Sequence, residues 1–170
     1  MNAVDQLCPN CGLCCDSTLF ADVELRAGAR ARDDAKRLAK LGLPIKKKGK
    51  VKLAFAQPCA CFDGKYCGIY ADRPKRCQLF ECGLLKRVEA GEMNASAALK
   101  KISEAKALAK KVRDLLQSLG QPQEKLALSK CYAAAMSEPI DLAGDSAERR
   151  GELMLAVNGL MHVVQKDFLK

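Results

Sequence analysis

The chain has 170 residues, about one domain's worth, and its 29 Lys and Arg outnumber 20 Asp and Glu to give a formal charge of +9. An apolar content of 49% argues against disorder, and 5% aromatics without Trp leaves little to stack on nucleic-acid bases. No apolar run reaches the roughly 20 residues of a membrane span, and the opening MNAVDQLCPN lacks the basic and apolar regions of a secretory signal, so a cytoplasmic location is expected.

In chain order, Pro9 and Gly12 predict a tight turn around the first cysteines. Leu19, Val23 and Leu25 offer a strand. Ala31 to Leu41 reads as a helix with Leu38 and Leu41 inward, stopped by Gly42 and Pro44. Lys46 to Lys50 reads as a turn or hairpin tip. Val51, Leu53 and Phe55 then alternate with Lys52 and Ala54, as in a half-buried strand. Pro74 suits the first turn of a helix. Leu99, Ile102, Ala105, Leu108, Val112, Leu115 or Leu116, and Leu119 recur at helical spacing, ended by Gly120 and Pro122. A shorter helix is expected from Pro122 to Met136. Asp145 and Glu148 open a last helix through Leu153, Val157, Leu160 and Val164. Met154, Met161 and Val163 make that helix apolar on more than one face. It is expected to be internal, the alternative being a protein partner bound through the C-terminal helices.

Nine of the ten cysteines fall in residues 1–83, yet large apolar residues run the other way, 21 there against 27 in residues 84–170. A segment that short of core needs a staple. The expected fold is therefore mainly α with minor β: a small irregular cysteine-rich, metal-stabilised module over residues 1–83, packed on C-terminal helices over residues 84–170.

Cys8, Cys11, Cys14 and Cys15 form C-x-x-C-x-x-C-C, and Cys59, Cys61, Cys67, Cys77 and Cys82 follow after a long gap. Without an export signal, clustered thiols point to metal or redox chemistry ahead of disulfides. Paired cysteines are a common structural zinc set. Cys8, Cys11 and Cys14 also match three ligands of a ferredoxin-type run, although position 18 is Thr18 and the Cys-Pro ending is missing, so an iron–sulfur cluster stays open. Neighbouring side chains diverge, so Cys14 and Cys15 point to two centres, or to one ligand and one bystander. Eight thiolates around two Zn²⁺ ions would bring the formal +9 down to +5. Cys77, placed near a helix start beside Arg73, Lys75 and Arg76, is expected to have a lowered pKa.

The ordered residues Cys8, Cys11, Gly12, Cys14 and Cys15, then Cys61 with Phe62, Cys67 with Ile69 and Tyr70, Arg73, Pro74, Cys77, Phe80 and Cys82, resemble the YkgJ-like cysteine-cluster family, described as a zinc- or iron-chelating domain. The resemblance covers residues 8–82. It implies a metal site drawn from Cys8, Cys11, Cys14, Cys15, Cys61, Cys67, Cys77 and Cys82, with Zn²⁺, iron or an iron–sulfur cluster bound. A flagellin lysine methylase shares the pattern, so an iron–sulfur enzyme or electron carrier is the alternative to a structural, metal-holding module. Cys59 and Cys131 lie outside the pattern.

Other features mean less. The Lys46 to Lys52 run reads as a solvated loop rather than a nucleic-acid contact. His162, the single histidine, reads as packed or half exposed rather than as a ligand, and Cys131 as a small buried residue. Asp33 and Asp34 fit a salt-bridged helix face with Arg32 and Lys36. No nucleotide-binding or esterase motif occurs, so no catalytic residue is visible beyond the cysteines.

Overall fold

The computed structural model describes residues 3–25, 29–50, 52–121, 126–139 and 145–170. Its elements in chain order are α1 (Ala3–Cys11), β1 (Asp22–Glu24), α2 (Ala29–Lys40), β2 (Ile45–Lys48), β3 (Lys52–Ala56), α3 (Lys75–Gln78), α4 (Gly83–Glu89), α5 (Ala95–Ser118), α6 (Leu128–Ser137) and α7 (Ser146–Val163), the last running into a π-helical turn, Val164–Phe168. The fold is mainly α with one small antiparallel sheet, ordered β1-β3-β2.

Helix α5 is the spine. Asn94 caps it by accepting the Ala97 N–H at 2.8 Å, and Gly120 takes a left-handed φ of +74° just past its end. Its buried seam is Ala98, Ile102, Ala105, Ala109, Val112 and Leu116. The small residues let neighbours approach closely, and each large one contributes roughly 1.5–3 kcal/mol by leaving water. The C-terminal half of α5 packs with α6 and α7 around Leu128, Cys131, Leu153 and Leu160. Its N-terminal half packs with α1, Leu13, α4, Val163 and Phe168. A separate cluster joins α2 to the sheet through Leu25, Ala31, Leu38, Leu43, Phe55 and Cys59.

Several expectations shift. Leu41 is 47% exposed, not inward, because the helix has ended and Leu43 takes the buried place behind Gly42. Lys46, Lys47 and Lys48 lie in strand β2, which leaves Gly49 and Lys50 as the turn. In β3 both Ala54 and Phe55 are buried, so this central strand does not alternate cleanly between core and solvent. The predicted roles of Val51 and Pro122 lie outside the described residues. Leu99 sits at the edge of the α5 seam and is 37% exposed. In α7, Leu153, Ala156, Leu160 and Val163 are buried. Met154, Leu155 and Met161 face outward, so the helix buries one side only. His162 is exposed.

One charged contact ties the end of the fold together. Asp167, in the π-helical turn, is 2% exposed. It accepts from Arg87 of α4 at 2.8 Å and lies 3.6 Å from Lys101 of α5. Burial alone would raise this carboxyl, but Arg87 and Lys101 outweigh it and hold it below its ordinary value. The stability it adds is present above the unfolded carboxyl value of about 3.9 and is lost as pH falls through the lower folded one. Asp167→Asn should cost about 2 kcal/mol at pH 7, because two cations lose a buried partner. Urea denaturation at pH 7 and pH 3 should show the cost shrinking in acid.

Candidate metal centre

Cys8 and Cys11 stand on α1, not in a tight turn; their i, i+3 spacing puts both on one helical face. Gly12 makes the turn instead, with φ +73°, and the chain folds back as Cys15 and Asp16 donate their N–H groups to Gly12 O at 2.8 and 3.0 Å. The returning loop, which carries Cys14 and Cys15, is pinned to the helices. Arg113 of α5 donates to Asp16 O and Thr18 Oγ1 at 2.9 and 3.0 Å and pairs with the Asp16 carboxylate at 3.2 Å. Ser17, buried and at φ +75°, accepts the Leu128 N–H of α6 at 3.1 Å. Nothing in the spacing of the sequence announces Arg113 or Ser17, because each acts from more than ninety residues away.

The remaining donors come from the loop after β3 and its continuation. Cys59 N–H donates to Cys15 O at 2.8 Å, which locks that loop beside the doublet. Phe62 and Cys67 bridge as an isolated antiparallel pair, and Cys61 O accepts Gly68 N–H at 2.8 Å. Pro74 immediately precedes α3, and Cys77 N–H closes its first turn onto Pro74 O at 2.8 Å. Cys82 precedes α4, where its Sγ accepts Leu85 N–H at 3.4 Å. The intervening aromatics shape the walls: Phe80 meets Phe20 edge-on at 5.0 Å, and the Arg73 guanidinium lies 3.6 Å over the Tyr70 ring while donating to Tyr70 O.

Eight thiols line one cavity of about 430 Å³: Cys8, Cys11, Cys14, Cys15, Cys59, Cys67, Cys77 and Cys82. Cys61 is not among its walls, and Cys131 is buried elsewhere, on α6. The cavity lies between the two cores, bounded by Leu7, Leu84 and Phe168 of the helical one and by Leu43 and Phe55 of the sheet. The doublet members differ in their main neighbours. The thiols acting on Cys14 are Cys11, Cys82 and Cys8, then Cys77, whereas Cys15 hydrogen-bonds to Cys67 and lies near Cys14 and Cys59.

Seven of these eight residues are half-buried, and Cys59 is buried. Burial pushes Cys11 and Cys77 up to about 12 and Cys59 up to about 11, and it raises Cys14 as well. The expectation of a lowered Cys77 is therefore overturned: Arg73 does favour its thiolate, but burial and the neighbouring Cys59 and Cys67 outweigh it. Cys67 is the exception, lowered to about 6, first by the hydrogen bond from Cys15 and then by the Ile69 amide and Arg73.

Among the described residues, no three Cys, His, Asp or Glu side chains already converge closely enough to hold an ion. The donor chemistry nevertheless fits a thiophilic cation. Eight thiols line one space, and at Cys11, Cys14, Cys59 and Cys77 burial and neighbouring thiols disfavour the thiolate, both of which a cation offsets. Gln57, 2% exposed on the same wall, holds its Oε1 without a hydrogen-bond partner.

Thiol-lined, wedged between two cores and built on C-x-x-C-G-x-C-C, this is the arrangement of a metal-chelating cysteine-cluster domain. The chain belongs to the CxxCxxCC family, described as a zinc- or iron-chelating domain, whose model matches residues 7–113. The match runs past Gly83 through α4 and into α5, ending at Arg113, the residue that pins the doublet loop. Comparison with curated proteins and with solved structures gave no match.

Gly12 offers a test of the geometry. A Cβ there would sit 2.5 Å from Phe62 Cζ, on a backbone at φ +73°. Gly12→Ala should therefore cost about 2–4 kcal/mol from backbone strain and overpacking together. Chemical denaturation of the full chain measures the cost, and faster labelling of the cysteines should accompany it.

Proposed function

We propose that the chain holds two Zn²⁺ ions in thiolate centres whose task is structural, closing the junction between the helical core and the sheet. The observation that carries this reading is the position of the donors: the thiols line the space between two cores, and one face of each core contributes to its walls. One group, Cys8, Cys11, Cys14 and Cys82, hangs from α1, the Gly12 turn and the start of α4. The other gathers around Cys15, Cys67 and Cys77. In this reading residues 1–83 supply the donors and residues 84–170 the helical support. Sets of four cysteine thiolates are a structural zinc ligand set. Bound zinc would offset the thiolate charge and crosslink the segments that carry the cysteines, and the protein supplies orientation and the apolar walls.

Elemental analysis of protein made anaerobically with both metals available should find two zinc per chain and no visible absorbance. Bound iron with broad absorption near roughly 400 nm would replace zinc by a cluster and overturn the structural-zinc reading. Cys11→Ser and Cys77→Ser should each lose one metal and unfold far more readily, since structural zinc binding is also folding energy. Cys131→Ser should keep both.

Protons provide a separate check. With Cys11 and Cys77 held at about 12, these thiols carry their protons at neutral pH and must release them to bind a cation. Zinc added to metal-free protein in weak buffer should acidify the solution, and the apparent affinity should fall as pH is lowered. An indicator dye and titrations at pH 6, 7 and 8 measure both effects.

A further inference from the structure

We infer that Cys59, which lies outside the family pattern, is the fourth thiol of the second centre, and that Cys61, which lies inside the pattern, is not a ligand. The inference rests on the two-centre reading and assigns its second donor set as Cys15, Cys59, Cys67 and Cys77.

Both candidates sit in the same short loop, and only one faces the cavity. Cys59 is 9% exposed and forms part of the cavity wall; Cys61 does not. The Cys59 backbone is fixed directly against the doublet by its 2.8 Å hydrogen bond to Cys15 O. The Cys61 carbonyl accepts instead from Gly68 N–H. The company of each sulfur agrees. Cys59 is the thiol that acts most on Cys77, and it also neighbours Cys15 and Cys67. The thiols that act on Cys61 are Cys67 and Cys59. Cys59 is therefore close to all three of the other donors, while Cys61 reaches only Cys67 among them. A tetrahedral ion needs four sulfurs about 2.3 Å from one point. A thiol adjacent to all three partners fits that demand better than Cys61, which neighbours only Cys67 among them.

Separation along the chain explains why the pattern misleads. Cys59 and Cys61 are two residues apart, and in extended backbone such residues share a side. The loop turns between them: Phe62 N–H donates to Cys59 O at 2.9 Å, which is a turn, not a strand. The two thiols still meet in a hydrogen bond, but of the pair only Cys59 lines the cavity.

The test uses the full chain, loaded with zinc and then dialysed against a moderate chelator. Wild type should retain two zinc, Cys61→Ser two, and Cys59→Ser one. Retention of two by Cys59→Ser with loss of one by Cys61→Ser would overturn the inference and leave the two-centre reading standing. Loss from both variants would equally overturn it, since Cys61 would then be needed. Wild type that binds no zinc, or only one, defeats the underlying reading itself. Should Cys59→Ser fail to fold, alkylation of zinc-loaded wild type read by peptide mass spectrometry decides the matter. Cys61 should be modified at least tenfold faster than Cys59, and protection of Cys61 to the same degree as Cys59 would overturn the assignment.

Discussion

Everything in this fold turns on a shortage of apolar contact between two small cores. Among the described residues the α2–sheet cluster has six buried members, and none of them belongs to the helical clusters around α5. Where a larger protein would place leucine and phenylalanine, this one places sulfur. Thiols are small and adaptable enough to line an apolar space, but as a group they are poor glue: ionised they repel, and protonated they contribute little beyond their area. A cation changes that balance. In the proposed reading each four-thiolate centre exchanges mutual repulsion for four metal bonds, and the junction becomes the strongest part of the molecule instead of the weakest.

The family's sequence pattern is intelligible as geometry once the site is built. The first C-x-x-C is a helical i, i+3 pair, and glycine follows it because only a left-handed residue without a Cβ leaves room for the Phe62 ring. The Ile-Tyr-x-x-Arg-Pro stretch is a wall and a helix start: Ile69 packs with the sheet core, Tyr70 carries the Arg73 guanidinium, and Pro74 opens α3 under Cys77. Even Arg113, the final matched position, belongs to the site, since it holds the loop from which Cys14 and Cys15 diverge.

Much of this is legible in the order of the residues alone. Periodicity places α5 and α7 within a few residues, and glycine with proline marks where α2 and α5 stop. Cysteine clustering points to metal. What stays hidden is of two physical kinds. Local patterns cannot report competition: Cys77 has the cations that lower a thiol's pKa, yet burial overrides them. Nor can they report long-range partners, such as Ser17 with Leu128 or Arg87 with Asp167, because neither member carries a spacing signal. The Met154 and Met161 face of α7 misleads for a third reason. Apolarity around a whole helix reads as full burial, but α5 and α6 cover only one side of it.

The basic excess of the chain finds its place in the same argument. In the proposed reading, two centres of four thiolates and one divalent ion would each carry a net −2, and in a space walled by leucine and phenylalanine that charge is costly without a counter-ion nearby. Arg73 and Arg76 line the cavity. Arg73 is fixed there: stacking on Tyr70 and hydrogen bonding to Tyr70 O hold its guanidinium in one position, from which it favours the thiolate at both Cys67 and Cys77. A lysine would supply the same charge but not the planar stack. In the proposed reading, arginine at this position therefore belongs to the electrostatics of the second centre, with its charge set beside Cys67, whose thiolate is favoured, and Cys77, whose thiolate burial disfavours.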